Sequence, residues 1–359
     1  MLKILDNFDD LRTAVHRLGL VPANPAQADI FCTLPWFDNL THFGLATPDG
    51  QTLPSQLLLA QDATTGHLVC LPLLGGKTLQ SLSNYYSSLY GPIYWQPKRN
   101  EITAISPDTW QAMAQHLRQH PKSWPVITLS PLDPEAAFVA PLQTGLKVAG
   151  YWTDRFLCFG NWYLVVAQRS FATYASSLPS ALRHGIERGQ RRLAKQGTWG
   201  IHIQQSPDAK LEECIAHFVA VYNQSWKTPE PTPQFIPQLI RMAAAQGWLR
   251  LGVLLLNGQA IAAQLWLVKD GKASIYKLAY VKGFEKLSAG SVLTHALMQH
   301  AIDIDQVAEV DYLTGDDAYK RDWMSHRRER WGLVAFNPRT LRGLWLAARH
   351  FAGRLWKRS

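Results

Sequence analysis

Apolar and polar positions follow a clear pattern in the second half of the chain. Three apolar runs, Trp248–Leu256, Gln259–Val268 and Lys272–Val281, are separated by Asn257-Gly258 and by Asp270-Gly271. These dipeptides favour the positive φ angles of two-residue hairpin turns, and flanking apolar runs make the signal strong. The pattern predicts an antiparallel meander of three strands.

Apolar residues at helical spacing flank this meander. The spacing predicts helices over Ser180–Gln196, Asp208–Trp226 and Pro237–Gln246 before the meander, and over Ser288–Ile302 after it. A short strand, a helix and a last strand are then predicted at Glu309–Leu313, Asp317–Met324 and Gly332–Phe336. The second half is therefore a mixture of helices and a mostly antiparallel sheet.

The first half shows fewer regular patterns. Ser55–Ala60 and His67–Leu74 are apolar runs on either side of a Gly-containing turn, which predicts a hairpin. A helix is predicted over Pro107–Gln119 and a strand over Pro125–Leu129. A strand-like stretch starting at Phe156 then leads into the second half.

Length and composition support a two-domain globular protein. The chain has 359 residues, of which 47% are hydrophobic and 18% charged, so intrinsic disorder is excluded. We expect segments 1–155, 156–338 and 339–359. No run approaches the roughly 20 apolar residues of a membrane span, and the N-terminus lacks the apolar region of a signal peptide. The four cysteines are far apart, which predicts neither zinc nor disulfides and favours a cytoplasmic location.

The positive charge is concentrated near the C-terminus. Residues 320–359 contain eleven Lys and Arg residues and two acidic ones, which equals the net charge of +9 for the whole chain. This argues against a broadly basic nucleic-acid-binding surface and for one localised anionic partner. Apolar residues recur every three or four positions from Leu341 to Leu355, which predicts a basic amphipathic helix. Such a helix either docks on the protein or lies on a membrane surface.

The helix start Lys286–Leu293 is a candidate anion site. Ser288 is a favourable N-cap, and Ala289, Gly290 and Ser291 are small. Free backbone N–H groups at the positive end of a helix dipole bind a pyrophosphate well. An ordinarily capped helix would show the same residues, so both interpretations stay open here.

Acidic residues, tyrosines and a lysine follow the short predicted strand. A carboxylate such as Asp311 can deprotonate an ammonium group, and a hydroxyl such as that of Tyr319 can protonate a thiolate. Lys320 can stabilise an oxyanion or a phosphate. Part of this segment also fits a simple helix cap at Asp316 or Asp317.

Two further features carry polar groups. Trp226 and Lys227 end a predicted helix, and Glu230 follows in a Pro-rich loop where it can reach an acceptor groove beside Trp226. The helix Ser180–Gln196 has a broad face of Arg and Lys residues suited to phosphates, an acyl-carrier protein or tRNA. Ordinary solvated polar surface explains both features as well.

Several enzyme classes are disfavoured by absent motifs. The sequence has no Walker loop, no dinucleotide-binding glycine fingerprint, no Gly-x-Ser-x-Gly elbow and no His-Glu-x-x-His. Kinases, Rossmann dehydrogenases, serine hydrolases and zinc enzymes are therefore disfavoured.

Taken together, these segments resemble the FemAB/CelD-like branch of the GNAT acyltransferases. The resemblance covers most of the chain and is densest over 170–335. It rests on the Arg-rich helix Leu182–Leu193, Ser225-Trp226-Lys227 with Glu230, the strand Tyr276–Tyr280, Ser288-Ala289-Gly290, the run Asp311, Gly315, Tyr319 and Lys320, and, in the first half, Leu34–Phe37 and Ser83–Tyr86. Ala289 stands where the family pattern has proline.

The resemblance implies an α+β fold with two GNAT-like halves, each a mostly antiparallel sheet flanked by helices, followed by the C-terminal helix. It implies an N-acyltransferase that uses acetyl-CoA or a longer acyl-CoA, needs no metal, and acts by direct attack of an amine acceptor bound between the halves. Asp311 would be the base or amine orienter, Tyr319 the acid and Lys320 the charge stabiliser. The donor would bind at Tyr280, Val281, Ser288, Ala289, Gly290 and Ser291, and the acceptor at Trp226, Lys227, Glu230 and Tyr276.

Two alternatives stay open. A Fem-type aminoacyl transferase would use aminoacyl-tRNA, although the localised charge disfavours a nucleic-acid partner. A protein with a decayed GNAT site would act as a membrane-peripheral scaffold. The expected partners are a small-molecule or peptide amine and, as candidates, an acyl-carrier protein and a membrane surface contacted by residues 339–359. The expected location is the cytoplasm, with the inner face of the membrane as a candidate site of peripheral attachment.

Overall fold

A computed structural model describes residues 1–23, 29–45, 54–97 and 104–356, without the side chains of the last two. The chain forms two compact units. The first unit comprises Met1–Thr41, Leu45–Phe159 and Glu329–Ser359, and the second comprises His42–Gly44 and Gly160–Arg328. The chain passes from the first unit into the longer segment of the second between Phe159 and Gly160, and it returns at Glu329. The division into 1–155, 156–338 and 339–359 stays a prediction.

The first unit is built around a mostly antiparallel sheet. Its strands are β1 Leu2–Leu5, β2 Leu20–Pro22, β3 Ser55–Gln61, β4 Leu68–Gly75, β5 Leu79–Ser81, β6 Ile93–Pro97 and β7 Val126–Leu132. Its helices include α1 Phe8–Arg17, α2 Leu34–Phe43, α3 Pro107–Gln119 and α4 Val139–Val148. The order is β1-β3-β4-β5-β7, with β6 on β4 and β2 on β6, and the β5–β7 pair is parallel. The predicted β3–β4 hairpin and helix α3 are confirmed.

A buried carboxylate ties the β3–β4 turn to the start of α3. Asp62 accepts hydrogen bonds from Thr65 N at 2.9 Å, Ser106 N at 2.7 Å and Thr109 Oγ1 at 3.0 Å. Burial alone raises the pKa of Asp62, but the hydrogen bonds outweigh it and hold the pKa below its usual range. The turn and the helix are therefore joined by a charged group.

Mostly antiparallel strands with helices on both faces form the second unit. The chain enters it along β8, Trp152–Val165. The remaining elements are α5 Phe171–Ser177, α6 Ser180–Gln196, β9 Trp199–Gln204, α7 Leu211–Asn223, α8 Phe235–Ala245, β10 Leu249–Leu256, β11 Gln259–Lys269, β12 Lys272–Tyr280, α9 Ala289–Gln299, β13 Glu309–Asp311 and α10 Ala318–Arg321. The strand order is β8-β13-β12-β11-β10-β9, with only the β12–β13 pair parallel among these described neighbours.

The predicted meander β10–β11–β12 is confirmed. Asn257 and Gly258 have φ of 50° and 81°, and Asp270 and Gly271 have φ of 48° and 75°. Both turns need positive φ at two successive residues, which Asn, Asp and Gly adopt more readily than other residues. Turn chemistry alone therefore fixes this part of the sheet.

Helices α6 and α9 pack on one face of this sheet over its apolar core. That core includes Leu193 of α6, Leu293 and Leu297 of α9, and Trp266 and Ile275 of the sheet. Helices α7 and α8 pack against the strands on the other face. Three predicted helices are shorter than expected. Helix α7 spans Leu211–Asn223 instead of Asp208–Trp226, α9 ends at Gln299 instead of Ile302, and α10 spans only Ala318–Arg321.

The last strand and helix return to the first unit. Strand β14, His326–Phe336, pairs with β7, and helix α11, Leu341–Trp356, follows. Ala347 is fully buried in a small apolar cluster with Val126, Val334 and Phe336. His350 is 2.6 Å from Asp154, which Arg354 also contacts. One face of the predicted amphipathic helix is therefore docked on the protein. Within the described residues, no helix combines the length and apolar character required to cross a membrane.

The docking of α11 is tested by introducing an aspartate at a buried position of the helix and, separately, at an exposed one. In Ala347→Asp a carboxylate is buried among apolar side chains, which we expect to lower the melting temperature by roughly 6–12 °C, equivalent to about 3 kcal/mol. Ala348→Asp is the matched control because Ala348 is exposed. Equal melting temperatures for the two variants, followed by circular dichroism, would show that α11 does not dock.

Candidate functional site

The centre of the second unit contains an opening between two parallel strands. Strands β12 and β13 pair only from Lys272 opposite Glu309 to Ser274 opposite Asp311. The chain after β13 then follows β8, since Tyr312 N donates to Trp162 O at 2.9 Å. The β12 segment from Ile275 to Tyr280 therefore does not pair with β13. We call the region between the two diverging strands the opening.

A β-bulge lies at the start of this segment of β12. Leu265 pairs with Lys277 and Trp266 pairs with Ile275, so Tyr276 is the extra residue on β12. A bulge re-aims the side chains of a strand and is common next to active sites. The predicted acceptor residue Tyr276 thus lies at an irregular point of the sheet.

Asp311 lies at the closed end of the opening in a saturated ionic network. Its Oδ1 accepts from Asn161 Nδ2 at 2.6 Å and Leu313 N at 2.7 Å. Its Oδ2 lies 2.8 Å from Lys272 Nζ and 2.5 Å from Arg328 Nη2. Burial raises the pKa of Asp311, but the two cations and Asn161 outweigh it, and the pKa lies well below its usual range. This geometry does not favour the predicted base role, because both oxygens are buried and fully engaged.

Lys320 is also held by the protein. Its Nζ donates to Thr314 O at 2.6 Å and Gly315 O at 3.2 Å, and lies 3.2 Å from Asp317. Burial lowers the pKa of Lys320, although the neighbouring carboxylates favour its charged form. An ammonium group has three donors, and these contacts use all of them. Lys320 therefore fixes the loop between β13 and α10.

Tyr319 has a different environment. Its ring packs edge-on against Tyr312 at 5.8 Å between centroids, and the residue is partly exposed. Burial and the nearby Asp317 carboxylate raise the pKa of Tyr319 to about 12. The hydroxyl therefore stays protonated at neutral pH and is able to donate to a ligand.

Two lysines and a glutamate lie beside the opening. Lys277 Nζ donates to Glu230 Oε1 at 2.7 Å in a buried ion pair. The second oxygen of Glu230, Oε2, is buried without a hydrogen-bond partner in the described part of the chain. Burial and the Lys277 ammonium lower the pKa of half-buried Lys227, which has no carboxylate within salt-bridge distance among the described residues. Glu230 and Lys227 thus retain binding capacity, whereas Asp311 and Lys320 do not.

The predicted anion site adjoins an aromatic pair. Trp226 lies 4.3 Å from Tyr280 between ring centroids, and a Cβ on Gly290 would lie 3.4 Å from the Tyr280 ring. Ser288 precedes α9 as predicted, but its side chain makes no capping hydrogen bond and its φ of 52° is left-handed. The N–H groups of the first turn have no partner within the helix. The backbone N–H of Val281 donates to Ile261 O at 2.9 Å. Val281 was predicted to bind the acyl donor, but its N–H is used by this backbone hydrogen bond.

Helix α6 lies directly against this anion site. A Cβ on Gly189 would lie 2.6 Å from Leu287 O, so only glycine allows this close approach. Arg192 Nη1 donates to Lys286 O at 2.5 Å, which fixes the loop before α9. Arg188, Arg191 and Lys195 are exposed on the same helix and leave a basic surface beside the first turn of α9.

Several residues of the site are absent from the sequence-based prediction. Lys277, Lys272, Arg328 and Asn161 each complete a charged contact across long sequence separations, such as the 150 residues between Asn161 and Asp311. In the sequence, the only indication that Lys277 belongs to the site is its position directly after Tyr276, a predicted acceptor-binding residue. The described residues contain no group of three or more His, Cys, Asp and Glu side chains suited to a metal ion.

One family model matches part of the second unit. Residues 180–321 match the family described as acetyltransferase (GNAT) domain. No curated protein matches the chain.

Solved structures extend the likeness over most of the chain. FemX superposes with a TM-score of 0.54 at 10% identity and covers 93% of this chain and 96% of its own. A conserved protein of unknown function from Bacteroides thetaiotaomicron VPI-5482 has a TM-score of 0.53 at 9% identity and covers 94% and 100%. A tandem GNAT protein from the clavulanic acid biosynthesis pathway has a TM-score of 0.46 at 13% identity and covers 94% and 99%. The first two show that the chain has their fold.

The structural role of Asp311 predicts a large and pH-dependent effect of Asp311→Asn. This variant leaves Lys272 and Arg328 without their buried carboxylate, which we expect to cost about 3–5 kcal/mol of unfolding free energy at pH 7. Because the folded pKa is lowered, the stabilisation is present above about pH 4 and is lost as the pH falls further. Urea denaturation at pH 7 and near pH 3 measures the difference.

Asp316→Asn provides the matched control. It breaks a partly exposed pair with Arg327, and we expect a much smaller loss of stability than for Asp311→Asn, because water screens this pair. A similar small loss for Asp311→Asn would contradict the structural role.

Proposed function

We propose that the GNAT acetyltransferase domain at residues 180–321 makes this protein an acyl-CoA-dependent N-acyltransferase. The observation that carries the proposal is the divergence of β12 from β13 after Ser274, next to the first turn of α9. In this arrangement an extended thioester donor runs along the strand edge, and its pyrophosphate lies on the N–H groups of Ala289, Gly290 and Ser291. In this proposal the exposed arginines Arg188 and Arg191 of α6 bind further phosphate groups of the donor.

The acceptor amine binds on the side of Trp226, Lys227, Glu230 and Tyr276. Glu230 Oε2 has no hydrogen-bond partner in the described structure, so an ammonium group would satisfy it. Lys227 adds an unneutralised cation, which favours an acceptor that carries a carboxylate or a phosphate near its amine. Trp226 and Tyr280 supply an apolar wall.

The reaction follows from these groups. The Glu230 carboxylate accepts a proton from the acceptor ammonium, and the free amine attacks the thioester carbonyl. A C–N bond forms and the C–S bond breaks, and Tyr319 donates a proton to the departing thiolate. The second amine proton returns to Tyr319 through solvent. Asp311 and Lys320 are positioning residues that hold β13 and the loop before Tyr319.

The donor class is tested by calorimetric titration with coenzyme A and with uncharged tRNA at two salt concentrations. We expect micromolar binding of coenzyme A and no specific binding of tRNA. Ser291→Glu places a negative charge at the pyrophosphate position and should weaken coenzyme A binding at least tenfold, while an acidic residue in the first turn keeps the helix stable.

Gln299→Glu is the control, because Gln299 is exposed at the other end of the same helix. We expect this variant to bind coenzyme A like the wild type. Salt-sensitive tRNA binding without coenzyme A binding would replace the proposal with the aminoacyl-tRNA alternative.

The roles of Tyr319 and Glu230 are tested by turnover. Acetyl-CoA and a long-chain acyl-CoA are offered with amino sugars, amino acids and peptide amines, and thiol release is followed. We expect Tyr319→Phe and Glu230→Gln to lower kcat about 100-fold or more. Arg321→Ala, exposed on the same short helix as Tyr319, should retain activity. Full turnover by both site variants would disprove these assignments.

A further inference from the structure

The docked helix α11 has a second apolar face. Gly343, Leu346, Ala347, His350 and Phe351 are turned toward the protein and are buried or half-buried. On a helix with 3.6 residues per turn, the opposite face carries Leu341, Leu344, Trp345, Ala348 and Ala352, all of which are exposed. Leu341 is 90% exposed and Trp345 is 59% exposed. Docking therefore leaves most of the apolar surface of this face in water.

Arginines border this face. Arg342 and Arg349 are exposed beside it, and the Arg349 guanidinium lies 5.6 Å from the Trp345 ring centroid. The sequence from Arg330 to Ser359 contains no aspartate and no glutamate. Arg354 is neutralised by Asp154, but no carboxylate on α11 itself offsets Arg342 or Arg349.

We propose that this face, formed by Leu341, Leu344, Trp345, Arg342 and Arg349 and called the Trp345 face, binds an anionic lipid surface. Tryptophan and leucine side chains enter the boundary between headgroups and acyl chains, while flanking arginines contact lipid phosphates. Ala348 and Ala352 keep the middle of the face flat, so the helix backbone lies close to the lipid.

The apolar residues favour lipid over nucleic acid. A phosphate backbone is bound by cations and hydrogen-bond donors and gains little from leucines. The positive charge favours an anionic surface over a neutral one, since each arginine near such a surface contributes about a fivefold increase in binding. The inference depends only on α11 and is independent of the acyl-transfer proposal.

Sedimentation of the full chain with vesicles tests the inference. We expect binding to phosphatidylcholine vesicles that contain about 30% phosphatidylglycerol, and much weaker binding to phosphatidylcholine alone. The double variant Leu341→Ser, Trp345→Ser should bind at least about tenfold more weakly, because it removes the residues that enter the lipid. Its melting temperature should match that of the wild type, since both residues are exposed.

A matched double variant removes the same residue types elsewhere in the first unit. Trp152 is 47% exposed and Leu157 is 51% exposed on β8, so Leu157→Ser, Trp152→Ser should bind vesicles like the wild type. Charge is controlled in the same way. Arg342→Glu with Arg349→Glu should lose at least about 25-fold in binding, whereas Arg17→Glu with Lys147→Glu, both exposed on other helices, should lose far less.

Four outcomes would overturn the inference. The first is equal binding of the wild type to neutral and anionic vesicles, and the second is binding to neither. The third is equal loss in the matched variants, which would indicate only a general charge or surface effect. The fourth is unchanged vesicle binding by Leu341→Ser, Trp345→Ser together with lost self-association or lost tRNA binding, which would assign the Trp345 face to a protein or RNA partner.

Discussion

The ionic network around Asp311 is the constraint on which the second unit depends. One buried carboxylate contacts Lys272 on β12, Arg328 on β14 and Asn161 on β8. It also holds Leu313 N, and Leu313 has a left-handed φ of 56° that ends the strand. Parallel pairing of β12 and β13 therefore stops at this network. The opening beside β12 exists because the chain turns away here.

The polar side chains around the opening fall into two sets: those already bonded within the protein and those with hydrogen-bonding capacity left for a ligand. Asp311 and Lys320 are buried with all of their polar atoms in use, and their charges maintain the fold. Tyr319, Lys227 and the buried Oε2 of Glu230 are the groups that our proposal assigns to ligand binding. Buried polar groups without partners are unfavourable, so the site is poised to bind groups that complete them.

Helix α11 illustrates how one sequence pattern produces two apolar faces. Its apolar residues extend around the helix beyond a single stripe, which is more than docking on the first unit requires. The structure divides them between a buried face centred on Ala347 and an exposed face centred on Trp345. The two interpretations of this segment, docking and membrane contact, are therefore compatible.

The sequence by itself determined the meander, the ranges of α3 and α6, and the GNAT-like order of elements, because all of these depend on local chemistry. Turn dipeptides, caps and apolar periodicity act between residues close in the chain, so they are readable without a structure. The sequence also predicted Tyr319 as the acid and Glu230 as an acceptor-binding residue, and both assignments stay predictions. Only the tertiary structure decided that Asp311 and Lys320 are fully engaged and that Lys277 neutralises one side of Glu230. These facts depend on charges brought together from distant parts of the chain, and burial removes the water that would otherwise weaken their interaction.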